Sequence, residues 1–308
     1  MVRGAGKKYS QDRYVVRRTA DGEAVVLAVA DGHGSAPHFR SDLGARWAVG
    51  VFAGLALGFA ERAVSHRSSE RRWGVLRAEA QTLPQQLVHQ WREKALLHEA
   101  NSPARGGPPL PSPRVRPATD AAGRPTEPPA GPLAQDLTPY GTTLVGAVVT
   151  DWLTVCWQLG DGDVVLVDAG GVPRAPLDVG EELGDETDSL CEAEAWRQTR
   201  THWEPVTGEG GLPPAVLIST DGLAKSFTDR AGFLEFAGGV TQRAADQGVP
   251  AVQDQLADWL GRAGRFSGDD TTLVAAFAPG SLESTSEDTS HDTHEAYEAY
   301  DDGRGTAL

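Results

Sequence analysis

The sequence predicts an α+β fold, a four-layer α/β/β/α sandwich of two antiparallel sheets flanked by helices, and three observations carry that prediction. Short apolar runs of strand type follow one another with no helix between them from Thr142 to Val167, which calls for antiparallel meanders rather than a doubly wound parallel sheet. Helical periodicity falls between strand-rich ends, in Ser41 to Val64, Pro84 to Ala100 and Val252 to Ala263. Two packed sheets with helices outside would bury every apolar face in these runs.

In chain order, the strand-type runs are Tyr14 to Val16, Ala24 to Ala30, Thr142 to Val149, Leu153 to Leu159, Val164 to Val167, Ala215 to Ser219 and Thr271 to Phe277. Several are β-branched, and Gly or Asp bounds them. In the last helical stretch Val252, Leu256, Trp259 and Leu260 share one face. The runs make one domain, residues 1–279, interrupted by a stretch from about 101 to 132. That stretch is dense in Pro, Gly and Arg, has almost no large apolar side chain, and is expected to stay disordered. Residues 280–308 turn to Ser, Thr, Asp and Glu and are expected to form a disordered, solvated acidic tail.

The chain has 308 residues, 40% of them hydrophobic, and a net charge of −15. A polyanion would be repelled by the average surface of such a protein, so neither nucleic acid nor an anionic membrane is the expected partner. The most apolar stretch, Trp47 to Ala60, is short and rich in Gly and Ala for a bilayer span, and the N-terminus lacks a signal-peptide pattern; a cytoplasmic protein is expected. The two cysteines have no metal-type spacing, and the expectation is a buried thiol at Cys156 and an incidental surface thiol at Cys191.

Asp-Gly occurs at Asp21, Asp31, Asp161, Asp221 and Asp302, and alone it is a turn signal. Asp31 and Asp221 differ from the others because each follows an unusually apolar run, which places a carboxylate at the end of a buried strand. Asp269 and Asp270 stand just before the last strand, and Asp12 just before the first. Few basic residues adjoin these four strand ends. Carboxylates gathered in that way repel one another unless protonated or neutralised, and a hard divalent cation, Mg²⁺ or Mn²⁺, is the usual neutraliser. Spacing alone leaves the turn reading and the metal reading open.

The run Asp31-Gly32-His33-Gly34, then Gly141-Thr142-Thr143, Gly160-Asp161-Gly162-Asp163, Ser219-Thr220-Asp221-Gly222 and Gly268-Asp269-Asp270-Thr271-Thr272, resembles the ordered motif series of the type 2C, metal-dependent serine/threonine protein phosphatases of bacterial type. The resemblance runs from about Lys7 to Phe277, the Pro-rich stretch excepted. It implies a centre of two Mn²⁺ or Mg²⁺ ions in a cleft at the ends of the two sheets. Asp31 would bridge both ions, the carbonyl of Gly32 would complete the shell of one, and Asp221 and Asp269 would hold the other. A water shared between the ions would attack phosphoserine or phosphothreonine directly, and His33 would stand at the position of the acid that protonates the leaving alkoxide. The alternative for His33 is a histidine that hydrogen-bonds within its turn.

The chain also departs from the family pattern. Gln11-Asp12 stands where many relatives have Glu-Asp, so Gln11 would reach the first ion only through water. The phosphate-binding arginine falls on Lys7, which offers a point charge without a fork, with Lys8 or a nearby Arg as substitutes. Thr138 occupies the position of an aspartate for a third ion, and Asp136 is offset from it. Asp12 and Asp270 match positions that support the ligands. The acidic stretch Asp178 to Glu194 reads first as a solvated loop, and otherwise as the flap that the family has beside the cleft at that place, and Trp196 and Trp203 read as packing residues. The expected partner is a phosphoprotein, a serine/threonine kinase or its targets. Two rival readings keep the fold: a phospho-binding regulator with weak or no turnover, and a phosphoesterase for small molecules, for which no aromatic base-stacking platform is evident.

Overall fold

The computed structural model describes residues 1–4, 7, 9–67, 72–103, 136–178, 187–205 and 215–278. In chain order its elements are β1 Arg13–Arg18, β2 Ala24–Ala30, α1 Ser41–Ser65, α2 Arg72–Asn101, β3 Leu144–Thr150, β4 Leu153–Leu159, β5 Asp163–Val167, β6 Pro173–Arg174, β7 Arg200–Pro205, β8 Ala215–Ser219, α3 Asp221–Ala224, α4 Arg230–Gln247, α5 Val249–Ser267 and β9 Leu273–Phe277. The acidic tail expected at 280–308 lies outside the described residues. So does the Pro-rich stretch apart from its first residues: Asn101 ends α2, and the carbonyl of Ser102 accepts a hydrogen bond from Arg40.

One sheet has the order β1-β2-β3-β4-β7 and the other β6-β5-β8-β9, and neighbours within each pair antiparallel. Alternation along the strands makes the layers. In β2, Ala24, Val26, Ala28 and Ala30 face α1 and α2, while Leu27 and Val29 face the other sheet. In β8, Val216 and Ile218 meet them from that side, while Ala215 and Leu217 face α4 and α5. The architecture is therefore the four-layer sandwich expected from the sequence. α1 is long and apolar enough to cross a membrane by length and composition, more so than its Trp47–Ala60 portion suggested; here its Ala45, Ala48, Phe52, Ala56 and Phe59 are buried in the layer between the first sheet and α2.

Besides the short β6 and α3, which match no predicted run, α2, α4 and β7 depart from the expectation. α2 begins well before Pro84, which it carries inside the helix. α4 has no strong apolar periodicity and holds Gly238-Gly239, yet Asp229 caps it by accepting the Gly232 N–H at 2.9 Å, and Phe233, Ala237, Val240 and Ala244 pack on the second sheet. β7 is an edge strand reading Arg-Thr-His-Trp-Glu-Pro, polar enough to pass for a loop. Cys156 is buried as expected, with burial pushing its thiol up to about 12. Cys191 is not a surface thiol: it is half-buried against the α1–α2 core, and its S–H donates to Ser189 Oγ at 3.3 Å. Trp196 and Trp203 pack on that core too. Residues 179–186 of the acidic stretch lie outside the described residues.

Register decides what stands at the sheet ends. Arg13 pairs with Ala30, which sets Asp12 beside Asp31. Ser219 pairs with both Asp163 and Leu273, which brings Asp161, Asp221 and the Asp269-Asp270 loop to one edge of the second sheet.

Candidate metal centre

Each carboxylate of the edge is held by its backbone. Asp31 leaves β2 with its N–H on Thr143 Oγ1 at 3.1 Å and its carbonyl accepting from Thr143 N and Thr142 Oγ1 at 2.9 and 2.8 Å. Those contacts explain why Thr142 and Thr143, expected at the start of a strand, stand before β3 instead. Asp221 opens α3 directly after β8, and Gly222 follows because a Cβ there would lie 2.0 Å from the Asp270 carbonyl oxygen. Asp269 follows Gly268, whose φ of 74° ends α5 in the left-handed region that favours glycine. The turn from β4 to β5 crosses between the sheets and carries Asp161 to the rim beside Asp221.

Asp31, Asp221 and Asp269 each offer a carboxylate oxygen, and these oxygens lie within 4.8 Å of one another. Behind them, Asp12 is fully buried, accepts from Thr220 Oγ1 at 2.8 Å and Thr272 Oγ1 at 2.6 Å, and lies close enough to Asp31 to share a proton. Asp270, also fully buried, accepts the backbone N–H groups of Gly4 and Gln11, each at 2.8 Å, and so ties the N-terminal segment to the site. Lys7 makes an ion pair with Asp269 and lies 3.4 Å from Asp270. Lys225, four residues after Asp221, pairs with it and lies 3.9 Å from Asp161.

The electrostatics show a shortage of positive charge. Burial, with Asp12 and Asp221 beside it, pushes the Asp31 carboxyl well above the usual carboxylate range. Burial likewise pushes Asp12 up to about 6, although the two threonine hydroxyls work against it. Loss of water and the Asp221 charge raise Asp161 to about 6 as well. Asp221 moves the other way: burial would raise it, but the Lys225 ammonium more than offsets that and holds it below its ordinary value. Its Oδ1 is nevertheless buried without a hydrogen-bond partner. Among the described residues, six carboxylates thus gather around the ammonium groups of Lys7 and Lys225, with the N-terminal ammonium near Asp12. A buried unpaired carboxylate oxygen among crowded acids is the donor set that a hard divalent cation fits.

The remaining residues singled out in the sequence fall around this cluster. His33 is partly buried, its ring centroid 4.7 Å from that of His38, and its backbone N–H donates to the Gly141 carbonyl at 3.1 Å. Burial and His38 push its imidazole down to about 4, with Asp221 pulling the other way, so at neutral pH it is uncharged. Gly32 bridges Thr142, which places its backbone at the edge. Gln11 points its amide away as a donor, to the His33 carbonyl at 3.0 Å and Ser41 Oγ at 2.6 Å. Asp136 stands apart from the metal-type cluster; its carboxylate accepts the Thr138 N–H at 2.9 Å, and it lies near His38. Of the substitutes for Lys7, Lys8 lies outside the described residues, and Arg13 spends its guanidinium on the carbonyls of Ser10 and Asp12 at 2.9 and 2.6 Å. Sequence reasoning missed Lys225 and gave Asp161 no role. The spacing of four from Asp221 to Lys225 was the available signal, given a helical turn after β8.

A family model described as protein phosphatase 2C matches residues 5–261. The fold is similar to that of a serine/threonine phosphatase of S. agalactiae, at 12% identity and a TM-score of 0.52, covering 89% of this chain and 95% of that one. It is similar also to a bacterial serine phosphatase at 13% identity and a TM-score of 0.50, covering 90% and 94%. No curated relative matches the sequence.

Proposed function

The chain belongs to the protein phosphatase 2C family, and we propose that its carboxylate edge holds two divalent cations, Mn²⁺ or Mg²⁺, for the hydrolysis of phosphoserine and phosphothreonine in proteins. It is a metal-dependent protein phosphatase; the ions' number and kind, the roles of the residues and the substrates are the proposal. The observation that carries the reading is the convergence of Asp31, Asp221 and Asp269 within 4.8 Å, with an unpartnered buried oxygen on Asp221. Asp31, Asp221, Asp269 and the Gly32 carbonyl would hold the ions. Bound there, they supply the Lewis-acid charge that activates water and neutralises the phosphoryl group.

The protein's own groups do the rest. Asp12 lies in hydrogen-bond reach of the Asp31 carboxylate, the Asp270 backbone N–H donates to the Asp269 carboxylate at 2.8 Å, and Thr142 and Thr143 fix the Asp31 backbone. Gln11 fixes His33 through its carbonyl. His33, uncharged at rest, protonates the leaving alkoxide once an arriving phosphate dianion has raised its affinity for a proton. Lys7, beside Asp269 at the rim of the cluster, would supply a charge to the phosphate. The protein acts in the cytoplasm on a serine/threonine kinase or its targets, with neither nucleic acid nor membrane as partner, and the domain spans residues 1–279.

The test is hydrolysis of a phosphothreonine peptide and of an aryl phosphate with Mn²⁺, with Mg²⁺ and with chelator. Turnover of both substrates, abolished by chelator, is expected. Binding of the peptide without metal-dependent turnover would overturn the reading in favour of a phospho-binding regulator, and turnover confined to small esters would favour a small-molecule phosphoesterase.

A further inference from the structure

Lys225 is the side chain of the centre that neither the sequence motifs nor the proposed reaction uses. It stands at the end of α3, its side chain 56% exposed, and it reaches back one helical turn to Asp221, whose side chain is only 9% exposed. On the same side lies Asp161, next to Asp221 and 3.9 Å from the ammonium. Asp161 also accepts from Thr187 Oγ1 at 3.2 Å, so its carboxylate is held at the rim. Two adjoining carboxylates, one of them buried with an unpartnered oxygen, make an edge that calls for a cation, and the chain itself supplies one.

We propose that the Lys225 ammonium is a built-in counter-ion that occupies the Asp161–Asp221 edge in place of a further divalent cation. This role for Lys225 rests on the metal reading of the cluster. A monovalent ammonium on a flexible stem neutralises Asp221 without the fixed oxygen geometry that Mg²⁺ demands. Being tethered four residues away, it keeps a high local concentration that a free ion must displace. Lys225 therefore limits how many cations the centre takes and weakens binding at Asp221.

Calorimetric titration of metal-stripped protein with Mn²⁺ tests this without reference to turnover. The parent is expected to take two ions. Lys225→Gln should take one more, or bind the existing ions at least about tenfold more tightly, a change of about 1.4 kcal/mol. Lys225→Arg should keep the parent's behaviour, and Lys225→Gln combined with Asp161→Asn should lose any added ion. If the parent and Lys225→Gln bind two ions with equal affinity, the counter-ion role is overturned while the two-ion reading stands. If the parent binds none and Lys225→Gln binds one, the counter-ion role stands and the two-ion reading falls. If neither binds Mn²⁺, both fall.

Discussion

Asp221 draws its ammonium from four residues further along the chain, whereas Asp269 draws its own from Lys7, 262 residues away. The two edges differ in burial as well. The Asp221 side chain is buried and its lysine reaches in from solvent, while Lys7 and Asp269 are both partly buried, at 25% and 31% exposure. A local pair forms whenever α3 forms. The long-range pair forms only after the N-terminal segment has docked, through the Val2–Thr271 bridge and the bonds from Gly4 and Gln11 to Asp270. The Asp221 edge is thus a chemical feature of one helical turn, and the Asp269 edge reports on the assembly of the whole sandwich.

The harshest way to break this comparison is to remove each carboxylate. Asp221→Asn and Asp269→Asn should each lower kcat/KM with Mn²⁺ by more than about a hundredfold, since partners that merely orient metal ligands are worth about 10–100-fold. Circular dichroism should show both variants folded. Normal turnover with unchanged metal content in either one would remove that edge from the centre.

A sharper cut separates His33, on the Asp221 edge, by its chemistry. A serine or threonine alkoxide needs a proton to leave, whereas an aryl phosphate releases a phenolate that does not. His33→Gln should therefore slow hydrolysis of a phosphothreonine peptide by about a hundredfold, at the lower end of general-acid effects, and leave the aryl phosphate within a few-fold of the parent. Equal losses on both substrates would make His33 a positioning residue of its turn.

Behind both edges, Asp12 gives the metal-free protein a pH signature. Its carboxyl is raised from 3.8 to about 6 in the folded state, mainly by burial. The protonated form is the one the fold favours, so its contribution is complete below about pH 4 and is lost as pH rises through about 6. The loss is on the order of 3 kcal/mol, at about 1.4 kcal/mol for each unit. Thermal melts of chelator-treated parent against Asp12→Asn should show the two curves diverging across that window, with the variant the flatter. Parallel curves would place the titration elsewhere.

What the sequence disclosed follows the same division between local and distant. β2, β4 and β8 lie where the apolar runs predicted, because buried strands bounded by Gly and Asp announce their own ends. The carboxylates were visible for the same reason: Asp31 and Asp221 are charges set at the ends of runs too apolar to leave a charge unaccounted for. α4 was hidden because Gly238-Gly239 dilutes its pattern, and β7 because an edge strand needs only one apolar face. Asp136 looked available for a metal but turned out to serve the Thr138 turn, since register, not sequence offset, decides which carboxylates meet. Nothing along the chain links Lys7 to Asp269; that pair exists only because β1, β2, β8 and β9 bring their ends to one edge.

Lys7 is where the comparison can be sharpened with the smallest effects. In the metal-free state its ammonium neutralises Asp269, and because both groups are partly exposed, Lys7→Ala should cost about 1 kcal/mol or less in a chemical melt. If Mn²⁺ fills the proposed centre at Asp269, the ammonium would be free to stand beside the phosphate. Lys7→Ala should raise KM for a phosphothreonine peptide by about tenfold, equivalent to about 1.4 kcal/mol, with kcat changed much less, since a ground-state contact to the phosphate persists into the transition state. Lys7→Arg should preserve or lower KM, because a guanidinium presents two parallel donors in a fixed fork, whereas the three donors of an ammonium diverge from one nitrogen. If KM is unchanged in Lys7→Ala while metal-free stability falls, Lys7 is a counter-ion and nothing more, the long-range equivalent of Lys225. If KM rises as expected, the two lysines differ in kind: the one that arrives from across the fold handles substrate, and the one tethered to Asp221 handles charge.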